Sequence, residues 1–117
     1  MKFTNDLFNC YYDIENQLEK LINLSKYYFT EKEKEKLFNL ILYFVIKIYV
    51  NYDDCKIDIN TLSNTKILLE THGILSICIN IKDLDITLIS FNTKHINHFY
   101  IDDFNTDNFD SFINSLK

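Results

Sequence analysis

The amino-acid sequence predicts an α+β fold, and three features of its hydrophobic pattern carry that prediction. Two long segments near the start repeat their apolar residues with a helical period, residues 55–101 alternate apolar and polar positions, and a short helical pattern follows. We therefore expect an N-terminal antiparallel helix pair packed on an antiparallel meander sheet of four to five strands, with a C-terminal helix. The 117 residues suit a single globular domain spanning 1–117.

The first helix is predicted to begin after Thr4 or Asn5, since either is a favourable N-cap, and to end near Lys26. Apolar residues recur three and four positions apart on one face, while most charged residues lie on the other. This pattern predicts an amphipathic helix with one buried face. That face includes Tyr11, Ile14, Leu18 and Leu21.

The second helix has the clearest start signal in the chain. Thr30 is followed three residues later by Glu33, which is the pattern of a capping box. Residues 37–50 are then apolar except at Asn39 and Lys47, and a helix that is apolar nearly all round must be covered nearly all round. We therefore expect a central helix ending near residue 49, antiparallel to the first because the connection is short, with Ile46 on its buried side.

The period changes to two after the helices. Residues 55–59 alternate strictly and predict the first strand. Residues 61–72 fit either a short helix ended by Gly73 or a strand Lys66–Thr71 that turns at Gly73. The strand is favoured, because another strand-like run begins directly after the glycine.

That run, residues 74–81, places Leu75, Ile77, Ile79 and Ile81 on one face and Ser76, Cys78 and Asn80 on the other. The pattern continues inward at Leu84, Ile86 and Leu88 after a turn at Lys82 and Asp83. A second turn at residues 92–93 leads to a last strand over residues 95–101. Residues 106–116 repeat with a helical period after Thr106, which is a favourable cap.

Composition and charge exclude several classes of function. All 12 basic residues are lysine and the net charge is −5, so specific nucleic-acid binding is not expected. Three widely spaced cysteines predict neither a disulfide framework nor a zinc site. Residues 37–50 are too few to span a bilayer, and residues 1–6 lack a signal-peptide pattern, so the expected compartment is the cytoplasm, with no membrane contact.

The sequence offers little support for catalysis or cofactor binding. A single glycine, Gly73, cannot build a phosphate-binding loop. Cys78 could meet His95 or His98 in the sheet, but no nucleophile elbow or oxyanion loop accompanies it. His95 and His98 are three apart, which puts them on opposite faces of a strand and prevents a shared metal. We therefore predict no catalytic residues, no metal and no cofactor.

The aspartates of residues 102–110 have three interpretations. Asp103, Asn105 and Asp107 match the first ligand positions of a calcium loop, but Asn108 and Asn114 break the pattern. Aspartates also suit a turn followed by a helix N-terminus. The third interpretation is an acidic partner-binding surface, extended by residues 53–54 and by the turn aspartates if the turns cluster. The residues predicted to bind a partner are Asp83, Asp85, Tyr100, Asp102, Asp103, Asp107 and Asp110.

These features favour a protein-binding inhibitor with a basic protein partner. The chain is similar in general type, though in no diagnostic motif, to toxin-neutralising immunity proteins, antitoxins and phage anti-defence proteins. One alternative is a structural module whose tyrosine-rich helices form a homodimer. The other is a small metal-independent enzyme that uses Cys78 or a histidine. A flat acidic surface would favour the inhibitor, a symmetric apolar interface the module, and a deep Cys–His pocket the enzyme.

Overall fold

Two helices, a five-stranded antiparallel sheet and a further helix follow one another along the chain, which confirms the predicted α+β class. The structure is a computed structural model that describes residues 2–26, 28–52, 55–94 and 96–116, with side chains from Phe8 onward. The elements are α1 (Lys2–Leu24), α2 (Glu31–Asn51), β1 (Ile57–Thr61), β2 (Lys66–Thr71), β3 (Leu75–Asn80), β4 (Asp85–Ser90), β5 (Ile96–Tyr100), the 3-10 turn η1 (Ile101–Asp103) and α3 (Thr106–Ser115).

The start of α2 confirms the predicted capping box. The Thr30 side chain accepts a hydrogen bond from the Glu33 backbone at 3.1 Å, and the Glu33 carboxylate accepts one from the Thr30 backbone at 3.3 Å. Glu31 and Glu33 also place negative charge in the first turn, where the helix dipole favours it. The two helices run antiparallel, and Tyr11 of α1 meets Phe38 of α2 edge-on with ring centroids 4.8 Å apart.

Between residues 37 and 50 of α2 only Asn39 and Val50 are exposed, so the expectation that the helix is covered nearly all round is confirmed, although only one stripe is fully buried. Its buried residues are Leu37, Ile41, Phe44, Val45 and Ile48, which repeat three and four positions apart. Ile46, expected on the buried side, is only half-buried and lies outside the core cluster. Ile46 lies about 140° around the helix from Ile41, outside the fully buried stripe.

The sheet is a meander in which each strand pairs with its neighbour in sequence, in the order β1-β2-β3-β4-β5. Residues 66–71 form β2, so the helical alternative for this segment is wrong and the strand is confirmed. β1 begins two residues later than predicted and ends at Thr61. There the Gln17 side chain of α1 accepts a hydrogen bond from the Thr61 backbone at 2.7 Å, which ties the first helix to the edge of the sheet.

The inward face of the sheet joins all three helices in one core cluster. Ile77, Leu88 and their alternate neighbours are fully buried, whereas Cys78 and Thr87 on the other face are half-buried. Ser76 is an exception on that second face, because its small side chain lies between Glu70 and Ile89 of the adjacent strands and is buried.

The turn between β2 and β3 depends on Gly73. The Ile74 backbone donates to the Thr71 carbonyl at 3.1 Å, and Gly73 has a φ of 76°. A positive φ at this position of a β-turn favours glycine. The buried Thr71 hydroxyl accepts from the Leu75 backbone at 3.1 Å and holds the other side of the turn.

Helix α3 closes the far side of the core. Its N-cap is Asn105 rather than the predicted Thr106, and the Asn105 side chain accepts from the Asn108 backbone at 2.9 Å. Asparagine is at least as good an N-cap as threonine, and it lies one residue earlier. The rings of Phe44 and Phe109 lie 4.8 Å apart, so α3 packs directly on α2.

Candidate functional site

The turn between β3 and β4 presents an exposed leucine in an unfavourable backbone conformation. Leu84 has a φ of 53°, in the left-handed region, and 53% of its side chain is exposed. The expectation that Leu84 continues the inward face is therefore wrong, because the chain is still turning at this residue. Asn80 fixes the turn by accepting from the Lys82 backbone at 2.9 Å and donating to the Asp83 carboxylate at 3.1 Å.

The short turn η1 lies directly against this leucine. The Ile101 backbone donates to the Leu84 carbonyl at 2.7 Å, so residues far apart in sequence form one continuous surface. Asp83, Asp102 and Asp103 are exposed there. We call this surface, made of Asp83, Leu84, Asp102 and Asp103, the acidic end. Tyr100 is exposed on the outer face of the sheet instead, where its ring lies 5.3 Å from that of His98.

A small apolar depression opens at the acidic end. Its volume is about 170 Å³, and an apolar cavity of this order holds one benzene ring. Lys36 and Asp102 lie on its rim with their charged atoms 3.5 Å apart, both well exposed to solvent. The depression is therefore shaped for one apolar side chain with polar groups around it. Its apolar lining comes from Phe29, Leu37, Leu40, Ile81, Leu84 and Ile101.

The remaining predicted aspartates are engaged elsewhere. Asp85 lies 2.9 Å from the His98 ring nitrogen on the outer face of the sheet, and only 18% of its side chain is exposed. Asp110 lies 3.2 Å from the Lys47 ammonium, on the side of α3 that faces α2. Asp107 is exposed in the first turn of α3. The seven predicted residues therefore do not form one surface.

The α2–α3 contact also perturbs a tyrosine. Burial, followed by the negative charges of Asp110 and Asp107, raises the pKa of Tyr43 above its ordinary value. The Tyr43 hydroxyl lies 3.5 Å from the Thr106 carbonyl, and the Lys47 ammonium lies 5.8 Å from the centre of its ring. These contacts hold α3 on α2, which gives Asp110 a structural role.

The outer face of the sheet carries the cysteine and histidine considered for catalysis. Cys78 pairs with Thr87, and Thr87 pairs with His98, so two strand spacings separate the thiol from the imidazole. That separation is roughly 10 Å and exceeds hydrogen-bond reach. Burial raises the pKa of the Cys78 thiol, which disfavours the reactive thiolate. His98 is instead bonded to Asp85.

The part of the chain that the structure describes contains no preformed metal site. Within residues 2–26, 28–52, 55–94 and 96–116, no three His, Cys, Asp or Glu side chains come together in a group that could hold a metal ion. Asn105, one of the residues that suggested a calcium loop, uses its side chain to cap α3. His95 and the aspartates Asp53 and Asp54 lie outside the described residues. The absence of a bound metal stays a prediction.

In comparisons with known proteins, no protein-family model, no curated protein and no solved structure matches this chain. None of the described helices is both long and apolar enough to cross a bilayer.

Sequence reasoning missed Leu84 and the depression beside it. Leu84, Ile86 and Leu88 alternate with polar residues, so the two-residue period of a strand predicted that Leu84 lies on the inward face. Lys82 and Asp83 marked a turn, but two-residue turns are common in hairpins, so the sequence did not show that the loop continues through Leu84 to β4 at Asp85.

Proposed function

We propose that this chain is a stoichiometric protein-binding inhibitor of the immunity-protein, antitoxin or phage anti-defence type. Its partner is a basic protein that binds the acidic end. The net charge of −5 and the exposed aspartates there support a basic partner. The separation of Cys78 from His98 supports a binding role over a catalytic one.

Leu84 is the observation that carries the proposal. A residue with a side chain in the left-handed conformation costs about 1–2 kcal/mol, and only glycine and sometimes asparagine or aspartate adopt it readily. Leu84 adds a second cost, because about half of a large apolar side chain remains in water. Local strain combined with an exposed apolar group is typical of functional sites. The covered half of Leu84 packs beside Ile81 and Ile101, and the exposed half is available to a partner.

The acidic end also has the arrangement of an effective binding surface. An apolar side chain of the partner would enter the depression and contact Leu84, Ile101 and the ring of Phe29 in its lining. Buried apolar and aromatic contacts supply most of the affinity in such interfaces. Asp83, Asp102 and Asp103 would chiefly speed the encounter with a basic partner and select it over others.

The leucine can be tested with a matched pair of variants. Leu84→Asn and Lys94→Asn both replace a residue with positive φ, since Lys94 has a φ of 55° in the turn after β4. A partner is first isolated by pull-down with the wild-type protein, and its affinity for each variant is then measured by calorimetry. We expect Leu84→Asn to weaken binding at least tenfold and Lys94→Asn to leave it unchanged. Equal effects of the two substitutions would overturn the assignment of Leu84.

The aspartates are tested by association kinetics. The double variant Asp83→Asn and Asp103→Asn removes two negative charges at the acidic end, and Asp13→Asn with Glu70→Gln removes two elsewhere. We expect the first pair to slow association and flatten its salt dependence, with little effect on dissociation. Stopped-flow measurements at two salt concentrations decide the question. Identical association rates for both double variants would place the interface elsewhere on the molecule.

A homo-oligomeric structural module is the second candidate function. It is supported by the aromatic side chains that α1 exposes at Phe8, Tyr11 and Tyr12, of which Phe8 and Tyr12 are each 61% exposed. Val50 at the end of α2 is 66% exposed as well. Sedimentation velocity over a hundredfold range of protein concentration tests this candidate. A dimer that dissociates when Phe8 and Tyr12 are replaced by serine would favour it over the inhibitor.

A further inference from the structure

The outer side of the helix pair contains a groove that is distinct from the acidic end. Leu18 and Ile22 of α1 and Phe38 of α2 form its apolar lining, and Tyr11 closes one end by its edge-on contact with Phe38. α2 contributes Glu31, Lys34, Glu35 and Phe38 to this groove, but Glu33, Lys36, Leu37 and Leu40 to the depression at the acidic end. The two surfaces therefore lie on different sides of the same helix.

The walls of the groove carry an excess of negative charge. Glu15 and Glu19 lie one turn apart on α1, and Glu31 and Glu35 lie one turn apart on α2. Against these four glutamates stands one lysine, Lys34, whose ammonium is 3.0 Å from the Glu31 carboxylate, so three negative charges remain uncompensated.

The spacing of Glu15 and Glu19 is unfavourable for α1, whereas at the start of α2 the helix dipole and Lys34 offset the charge of Glu31. Like charges at i and i+4 destabilise a helix by a few tenths of a kcal/mol for each pair. Both helices contain such a pair, and both pairs face the same groove. A cation placed beside Glu15 and Glu19 would relieve the repulsion in α1.

We propose that the groove between α1 and α2 binds a basic amphipathic helix of a partner protein. The apolar stripe of that helix lies on Tyr11, Ile22 and Phe38 above the buried Leu18, and its lysines or arginines contact the glutamates on either side. An amphipathic helix laid in a hydrophobic groove is a common mode of peptide recognition. From Tyr11 to Ile22 the groove is roughly 17 Å long, which corresponds to about three turns of the bound helix. A second copy of this chain fits poorly, because it would bring two sets of glutamates together.

The proposal can be tested without knowing the natural partner. The probe is a synthetic 14-residue peptide with a leucine stripe flanked by lysines, blocked at both ends, titrated into the ¹⁵N-labelled full chain. We expect chemical-shift changes confined to residues 11–22 and 31–38, and weaker binding as salt is raised. A scrambled peptide of the same composition, which lacks the stripe, should bind at least tenfold more weakly. Equal binding of the two peptides, or changes centred on the acidic end, would overturn the proposal.

Variants then separate the groove from general acidity. Glu15→Gln, Glu19→Gln and Glu35→Gln together should weaken peptide binding about tenfold, since each exposed ion pair contributes a few-fold. Asp83→Asn with Asp103→Asn should leave peptide binding unchanged, whatever it does to a partner of the acidic end. The alternative is that a second copy of the chain occupies the groove. Sedimentation velocity would then show a dimer that is lost in the Tyr11→Ser variant, and dimer formation would prevent peptide binding. That result would refute this proposal.

Discussion

Two isoleucines five residues apart on α2 test where the core lies. Ile41 is fully buried and Ile46 is half-buried outside the core cluster. The same substitution, isoleucine to alanine, can be made at both positions. The two variants differ in the surroundings of the side chain and hardly at all in chemistry.

The expected magnitudes follow from burial. Isoleucine to alanine removes three carbons, worth about 0.8 kcal/mol each when they leave a buried site. At Ile41 a residual cavity adds to this loss, so the free energy of unfolding should fall by about 3–4 kcal/mol. At Ile46 water fills the space and alanine is the better helix former, so the loss should be about 1 kcal/mol or less. A domain of this size is stable by about 5–15 kcal/mol, so both variants remain folded.

Urea unfolding followed by circular dichroism measures both losses. With a denaturant dependence of about 1–3 kcal/mol per molar urea, the two midpoints should differ by roughly 1–2 M. An unchanged slope shows that the comparison is between two native states of similar compactness. Equal midpoints, or a larger loss at Ile46, would refute the orientation of α2 described above.

Three further perturbations have definite expected outcomes. Thr30→Ala should lower the free energy of unfolding by about 1 kcal/mol because the capping box is lost. Glu33→Gln should lower it less, because glutamine keeps an oxygen that can accept from the Thr30 backbone. Thermal melting measures both. Gly73→Ala should cost about 1 kcal/mol through its positive φ alone, since an added Cβ would meet nothing within 4 Å, and Gly73→Asn should cost less in the same assay. Burial raises the pKa of Cys78, so its reaction with iodoacetamide, followed by peptide mapping, should begin at higher pH than that of free cysteine; a profile matching free cysteine would contradict the burial.

The sequence predicted the parts of the fold that depend on neighbouring residues. The capping box at Thr30 and Glu33 is local chemistry, and the alternation along β3 is a local period, so both were recognisable without a structure. The helix-or-strand ambiguity of residues 61–72 was resolved correctly because Gly73 forces a turn before the next strand.

The sequence could not predict which half of an apolar helix faces the core. Residues 37–50 are apolar on almost every side, so the pattern gave no reason to separate Ile46 from Ile41. Tertiary packing decided it, since α2 is at least partly covered on almost every side but only the stripe that includes Ile41 is fully buried. Burial of this kind depends on where the neighbouring elements lie, and periodicity does not encode that.

The candidate site was predictable where it depends on residues close in sequence, and unpredictable where it depends on packing. The sequence identified Asp102 and Asp103 as candidates and linked Asp83 to them only if the turns cluster. The turns do lie together, since the Ile101 backbone donates to the Leu84 carbonyl. The pairing of Asp85 with His98 across two strands required the register of the sheet. The glutamates of the α1–α2 groove were overlooked, because Glu31 and Glu35 look like a solvated first turn when each helix is considered alone.

The meander order of the strands has a consequence for how the chain folds. Each strand pairs with the next along the chain, and no connection between paired strands exceeds five residues. Closing such short loops costs little entropy, so the sheet should form early and quickly. The hydrogen bonds between Gln17 and Thr61 join residues 44 apart in sequence and should form late. Gln17→Ala removes the side-chain acceptor of the Thr61 backbone but keeps the Gln17 carbonyl that accepts from the Thr61 hydroxyl. It should therefore speed unfolding while leaving the refolding rate nearly unchanged, which stopped-flow unfolding and refolding in urea would detect.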